Sequence, residues 1–314
     1  MTNDLSNQLI TLFGGGGFIG RYTAQQLLTR GARVRIAQRQ PKLAEFLKPL
    51  GNLGQTQFAT VDVRDAASVA RVVAGSDAVV NLVGAFADMD AVQHLGAANI
   101  ANAARDAGVT RLVHVSAIGA DVDSPAAYGR SKGQGEAAVR GAVPGAIILR
   151  PSTVFGREDQ FVNRFAGMIR MAPVVPLVAP QAKFQPVYVG DVAGAIAAAL
   201  VDPAAAGRTF ELGGPQVLTM EQLFRWIAGA IGRDPLFVPV PDAVAAAMAR
   251  FTGWLPFAPI TWDQWLMLQQ DSVVTPGAAT LAELDLPATP LAAVAPEWLV
   301  TYRRHGRFAV SVKQ

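Results

Sequence analysis

Six short apolar runs rich in β-branched residues recur through the first half of the chain. They are LITLF (Leu9–Phe13), VRIAQ (Val34–Gln38), QFATV (Gln57–Val61), AVVNLV (Ala78–Val83), LVHVS (Leu112–Ser116) and AIILR (Ala146–Arg150). Runs of this kind suit strands buried on both faces. Helix-like segments lie between them, among them Arg21–Arg30 followed by Gly31 and Ala91–Ala107 followed by Gly108. Glycine just past a helix is a frequent cap. Strand and helix in alternation imply a parallel sheet with right-handed crossovers and helices on both faces. The expected class is therefore α/β, with a Rossmann-type doubly wound parallel sheet over residues 1–155, completed by strand returns later in the chain.

After Arg150 the rhythm loosens. Prolines cluster at 173, 176, 180 and 186, and again at 235, 239, 241, 256 and 259. Helical pieces persist at Asp191–Val201 and at Thr219–Ile231, the second opening on a capping box from Thr219 to Gln222. Strand-like PVYV and TFEL sit among them. Residues 156–314 are read as a smaller, irregular α/β subdomain for substrate or partner. Its stretch RFTGWLPFAPITWDQWLMLQ (Arg250–Gln269) groups Trp254, Phe257, Trp262 and Trp265. Core or lid packing explains such a group; a docking face or a groove for an apolar, quinone-like ligand is the competing reading.

Composition closes off other classes. A chain of 314 residues that is 51% hydrophobic and 16% charged can bury a large core. The formal charge is only +3 and the basic residues are dispersed, which argues against nucleic acid as a partner. The one basic concentration is Arg303, Arg304, Arg307 and Lys313, read as a solvated terminus or a weak contact for an anionic membrane surface. There is no cysteine, and His94, His114 and His305 lack ligand spacing, so no metal site is expected. The N-terminal MTNDLSNQ lacks the apolar core of a signal peptide. VAGAIAAALV, between Asp191 and Asp202, and Phe251–Trp262 fall short of the ~20 residues a spanning helix needs. The expected setting is cytoplasmic, free or peripheral at the cytoplasmic face of the inner membrane.

The chemistry concentrates in LFGGGGFIGRY (Leu12–Tyr22). Gly14, Gly17 and Gly20, with Phe18 and Ile19 between the last two, follow the first strand and open the first helix. A pyrophosphate can reach the unpaired N–H groups of a helix N-terminus only where side chains leave room. The second strand then bears on which dinucleotide is held. An NAD site wants a carboxylate for the ribose 2′-OH about 20 residues on. Here Gln38, Arg39 and Lys42 occur, with no acid before Glu45. A guanidinium suits a 2′-phosphate, so NADP(H) is favoured over NAD(H).

The spacing G-x-x-G-x-x-G resembles the short-chain dehydrogenase/reductase superfamily, and GGFIGR its extended and atypical branches. The resemblance implies that Asp62 and the backbone amide of Val63, in VDVRD, bind adenine. A helix N-cap is the competing role for Asp62. It implies that Val83 and Gly84, in NLVGA, line the adenosine ribose and nicotinamide side, and that Pro151, in RPSTVFG, borders the nicotinamide. Tyr128 and Lys132 form its Y-x-x-x-K pair on one helix face. In that superfamily the lysine binds the nicotinamide ribose and lowers the tyrosine pKa, so that the phenol exchanges a proton with a carbonyl or alcohol. The orienting hydroxyl falls on Ser116, although extended members more often carry it at the next position, here Ala117. Either Ser116 serves or the donor is missing. The expected catalytic residues are thus Tyr128, Lys132 and Ser116.

Longer stretches, among them PLGNLGQTQF, RPSTVFGREDQFVNRFA, QPVYVGDVAGAI and LPATPL, are similar to one branch. It is the nucleotide-binding accessory subunit of mitochondrial respiratory complex I (NADH:ubiquinone oxidoreductase) with its bacterial relatives, some tied to ubiquinone metabolism. That resemblance implies an atypical member that holds NADPH with little or no turnover, with respiratory complex I as a partner. The alternative is an NADPH-dependent oxidoreductase or epimerase for an apolar, quinone-like or isoprenoid-like carbonyl substrate, working through Tyr128 and Lys132.

Overall fold

The computed structural model describes residues 4–253, 260–304 and 306. Its main sheet has seven strands: β1 (Leu9–Phe13), β2 (Arg33–Gln38), β3 (Thr56–Thr60), β4 (Ala78–Asn81), β5 (Arg111–Val115), β6 (Ile147–Pro151) and β7 (Thr209–Leu212). All five residues of β1 and all four of β4 are buried, as they must be where helices cover both faces. The spatial order is β7-β6-β5-β4-β1-β2-β3 and every neighbouring pair is parallel. The chain builds outward from β1 to β3, then crosses back to start β4 on the other side of β1. That reversal opens a crevice at the carboxyl ends of β1 and β4, the place where open α/β sheets take ligands.

The crossovers are α1 (Phe18–Thr29), α2 (Ala66–Val73), α3 (Gly96–Asp106), α4 (Ala127–Ala142) and α5 (Val189–Val201). Val69, Val72, Ile100, Ala104 and Val139 pack with Phe13, Val79, Leu112 and Ile148 into one core on the α2–α3–α4 face. Gly31 and Gly108 take the left-handed conformation beyond α1 and α3, with φ of 86° and 72°. The expected continuous helix over Ala91–Ala107 instead begins as a π-helical turn, Asp90–Leu95, before α3.

TFEL, grouped by sequence with the smaller subdomain, is β7. It pairs with β6 from Thr209↔Ile148 to Leu212↔Pro151 and so covers what would be an open sheet edge. Helix α5 likewise lies against α1, and Arg30 Nη1 donates to Ala197 O at 3.4 Å. The unit built on this sheet comprises Met1–Pro151, Val189–Leu212 and Val274–Pro287.

A second unit takes Ser152–Tyr188, Gly213–Val273 and Ala288–Gln314. Among its described residues it holds three two-stranded pieces, such as Val174–Leu177 beside Leu236–Pro239. Its core joins the helices Val162–Met171 and Met220–Ala230, with the rings of Phe165 and Phe224 4.3 Å apart. The capping box forms as expected: Thr219 Oγ1 accepts from the Gln222 N–H at 3.1 Å, and Gln222 Oε1 accepts from the Thr219 N–H at 2.8 Å. In the aromatic stretch Trp262 stacks on Trp265 at 4.8 Å, beneath the Arg250 guanidinium, and stays 38% exposed. Trp254, Phe257, His305, Arg307 and Lys313 lie outside the described residues. No described helix is long and apolar enough to cross a membrane.

Candidate functional site

Four glycines follow the last residue of β1. Gly14 has a φ of 78°, and its N–H donates to Ala37 O at 2.9 Å, which turns the chain sharply off the sheet. The Gly17 N–H returns to Gly14 O at 2.9 Å. A Cβ on Gly20 would stand 2.5 Å from the carbonyl oxygens of Gly14 and Gly15, so only glycine lets α1 start beneath the loop. A Cβ on Gly17 would meet Gly14 O at 3.1 Å and nothing else within 4 Å. Its face is open. Gly17 is also the N-cap of α1, where no side chain caps the helix and the first turn holds no acid. The N–H groups of that turn, those of Phe18 and Ile19 included, form an anion-binding end.

At the tip of β2, Gln38 Oε1 accepts from the Gly16 N–H at 2.9 Å and Gln38 Nε2 donates to Gln40 O at 2.7 Å. A neutral amide is therefore fixed against the glycine loop. Arg39 follows it, exposed, and its charge reaches the Asp62 carboxylate. Asp62 is not a helix cap; Asp65 has that role, accepting from the N–H groups of Ala67 and Ser68. Instead the Arg64 guanidinium grips both Asp62 oxygens, Nη2 to Oδ2 at 2.7 Å and Nε to Oδ1 at 3.0 Å. That grip, with the Arg64 backbone N–H, holds the Asp62 carboxyl down at about 2. The Val63 carbonyl accepts from Asn99 Nδ2 at 2.8 Å.

Beyond β4 the Val83 N–H donates to Asn81 Oδ1 at 3.0 Å, and Asn81 Nδ2 lies 3.0 Å from His114 Nδ1. With the Asn81 oxygen already accepting, its amide nitrogen donates to the ring and places the His114 proton on Nε2. Burial, then the nearby Lys132 charge, pushes His114 down to about 3. Lys132, buried on α4, donates through Nζ to Val115 O at 3.2 Å, and a Cβ on Gly84 would lie 3.8 Å from that nitrogen. A Cβ on Gly14 would in turn lie 3.6 Å from Val83 Cγ2. Gly14, Val83, Gly84 and Lys132 thus form one continuous edge of the crevice.

Tyr128 shares the α4 face with Lys132, whose Nζ is 6.0 Å from the ring centroid. The resemblance implied a lowered phenol pKa. Burial instead pushes Tyr128 up to about 12 and Lys132 down to about 8, while the ammonium donates to Val115 O. Phe86 stacks on Tyr128, centroids 5.1 Å apart and planes 19° apart, although it is 71% exposed. Ser116 is buried beneath this edge. Its N–H donates to Leu149 O at 2.7 Å, and its hydroxyl finds no partner among the described residues. Pro151, the buried end of β6, accepts from the Ile118 N–H at 3.0 Å.

The structure brings the glycine loop, Val83, Gly84, Lys132 and Tyr128 together, sets Arg39 near Asp62, and keeps the Ser116 hydroxyl inside. Sequence reasoning missed Arg64, Phe86 and the Asn81–His114 pair. The opposite charges two apart in VDVRD could have signalled Arg64; nothing local announces that Phe86 covers a tyrosine.

The model of the NAD dependent epimerase/dehydratase family matches residues 10–213. The mitochondrial NADH dehydrogenase (ubiquinone) 1 alpha subcomplex subunit 9 of Arabidopsis thaliana is 36% identical, over 97% of this chain and 80% of its own length. Its Rattus norvegicus counterpart is 38% identical, over 92% and 79%. Among solved structures, an NADPH-dependent quinone oxidoreductase of Escherichia coli complexed with NADPH superposes with a TM-score of 0.75. It covers 92% of this chain and 99% of its own at 20% identity, a likeness of fold.

Proposed function

This chain belongs to the NAD dependent epimerase/dehydratase family, and from that premise we propose that it is an NADP(H)-binding protein with little or no turnover, acting in support of a respiratory complex or of ubiquinone-related function. The observation that carries the reading is the uncapped N-terminus of α1 beneath the open face of Gly17. It suits an anionic group such as a pyrophosphate. The 2′-phosphate is assigned to Arg39, with the neutral Gln38 amide where a carboxylate would repel it. Asp62 and Val63 would hold the adenine, Lys132, beside Gly84, the nicotinamide ribose, and Pro151 would border the nicotinamide. When bound, the dinucleotide supplies hydride chemistry.

Low turnover is supported by the interior position of the Ser116 hydroxyl and by Phe86 lying over Tyr128. Bound nucleotide adds RT ln(1 + [L]/Kd) to stability, which is itself a usable output. The relatives named as complex I subunits suggest respiratory complex I as the partner. On this reading the protein works in the cytoplasm or peripherally at the cytoplasmic face of the inner membrane.

A second reading is favoured by one observation: Tyr128 stays a protonated phenol on the same helix face as Lys132, as a proton donor to a carbonyl must. It makes the protein an NADPH-dependent oxidoreductase or epimerase for an apolar or quinone-like substrate. Mass spectrometry and near-ultraviolet absorbance of the purified protein test the shared premise, which requires co-purifying NADP(H) that Gly17→Asp removes. Oxidation of bound NADPH by quinones, lost in Tyr128→Phe, selects the second reading. No such oxidation, with stability lowered in Gly17→Asp, selects the first.

A further inference from the structure

Between β2 and β3 the chain forms a 3₁₀ helix, Pro41–Leu50, whose three-residue period sorts its side chains into stripes. Ala44 and Leu47 are buried, and a Cβ on Gly16 of the glycine loop would meet Ala44 at 2.7 Å. Lys42, Glu45 and Lys48 make the second stripe, with Glu45 and Lys48 paired at 3.3 Å. Leu43, Phe46 and Pro49 make the third, and it faces solvent: Leu43 is 69% exposed and Phe46 46%. Apolar exposure continues past the helix at Leu50 and Leu53. Exposed apolar residues scattered singly are ordinary, but a stripe of them marks a contact surface.

The charges around the stripe select its partner. From Arg39 to Gly54 the chain carries Arg39, Lys42 and Lys48 against Glu45 alone. The Arg21 guanidinium, from α1, adds a fourth cation 4.9 Å from the Phe46 ring centroid. We infer that residues 41–53 seat the protein on a bilayer surface of anionic lipids, with Leu43 and Phe46 entering the headgroup boundary and Lys42 and Lys48 reaching the lipid phosphates. The inference deepens the peripheral-membrane reading above and rests on it. Helices that lie in the plane of a membrane surface combine an apolar face with flanking lysines. Flexible stems let the ammonium groups stay in water while their methylenes are covered. A protein partner fits less well. Interface cores are depleted in lysine, and a standard interface takes about 20–30 residues a side, more than one short helix and its turn supply.

The chain has no cysteine, so Leu43→Cys places a single thiol on the stripe for an environment-sensitive fluorophore. On vesicles of phosphatidylglycerol and phosphatidylcholine the label should brighten and be quenched by spin-labelled acyl chains. On phosphatidylcholine alone it should do neither. In co-sedimentation of the unlabelled protein, Lys42→Gln should weaken binding to the anionic vesicles about fivefold, and adding Lys48→Gln about fivefold more. Leu43→Ser should weaken it about tenfold or more with an unchanged denaturation midpoint, because that side chain is exposed in the free protein. An equal response on the neutral vesicles overturns the anionic assignment. Vesicle binding that leaves the label in water, or that these variants do not weaken, overturns this face while the peripheral reading stands. No binding to the anionic vesicles overturns the lipid contact and leaves the stripe to a protein partner. Recovery of the native chain from its own cells wholly in the soluble fraction overturns the peripheral reading and the contact with it.

Discussion

The Asn81 amide and the His114 ring meet inside the protein, with Nδ2 and Nδ1 3.0 Å apart and both side chains buried. The pair ties the carboxyl ends of β4 and β5 beside the crevice. It also commits His114 to its neutral form, since burial pushes it down to about 3.

Acid should therefore weaken the fold through His114. The unfolded side chain takes its proton near pH 6.5 and the folded one only near 3, so the unfolded state binds more protons between these values. Stability contributed above pH 6.5 is lost as pH falls, by up to ~1.4 kcal/mol per pH unit. Urea unfolding between pH 4 and 7 should show this slope, and His114→Gln should flatten it by about one proton.

Lys132 acts at the other end of the scale. Its folded value of about 8 lies below the ordinary 10.5, so the unfolded chain is again the more protonated state between them. Stability should rise with pH across that window as the penalty for a buried ammonium disappears. In Lys132→Met that rise should vanish from unfolding free energies measured from pH 8 to 10.

The two glycines of the loop should separate folding from binding. Gly20→Ala forces a methyl to 2.5 Å from two backbone oxygens and should lower stability by about 1–3 kcal/mol, seen as an earlier denaturation midpoint. Gly17→Ala meets one oxygen at 3.1 Å and should cost less than about 1 kcal/mol. Its methyl would occupy the approach proposed for the pyrophosphate, so calorimetry should show the larger loss in NADPH affinity there.

The β2 tip should set the choice of nucleotide. Gln38→Glu keeps an oxygen for the Gly16 N–H but adds a negative charge beside the position proposed for the 2′-phosphate. NADPH affinity should fall about tenfold or more, with NADH little changed or improved. Arg39→Gln should lower NADPH affinity alone. Equal losses for both nucleotides in Arg39→Gln would remove Arg39 from the phosphate site.

Much of this was legible in the residues. LITLF matches β1 end to end, because a strand covered on both faces carries an unbroken apolar signal. The glycine spacing located the crevice because Gly14 and Gly20 answer local demands of turn and packing. TFEL was harder to place: four residues with Glu211 among them give no period, and its partner β6 lies some 60 residues away. The tie between Asp62 and Arg64 was half-visible as neighbouring opposite charges. The stack of Phe86 on Tyr128 depends on tertiary placement, and so does the burial that raises the phenol instead of lowering it.

Because β7 comes from Thr209–Leu212, the nucleotide-binding sheet stays unfinished long after its first six strands have left the ribosome. At translation speeds of ~5–20 residues per second, the β6 backbone waits on the order of 3–12 s for its neighbour. Throughout that interval a nascent chain offers a bare hydrogen-bonding rim to any other extended peptide, and a chaperone that shields it during synthesis would raise the yield of folded molecules.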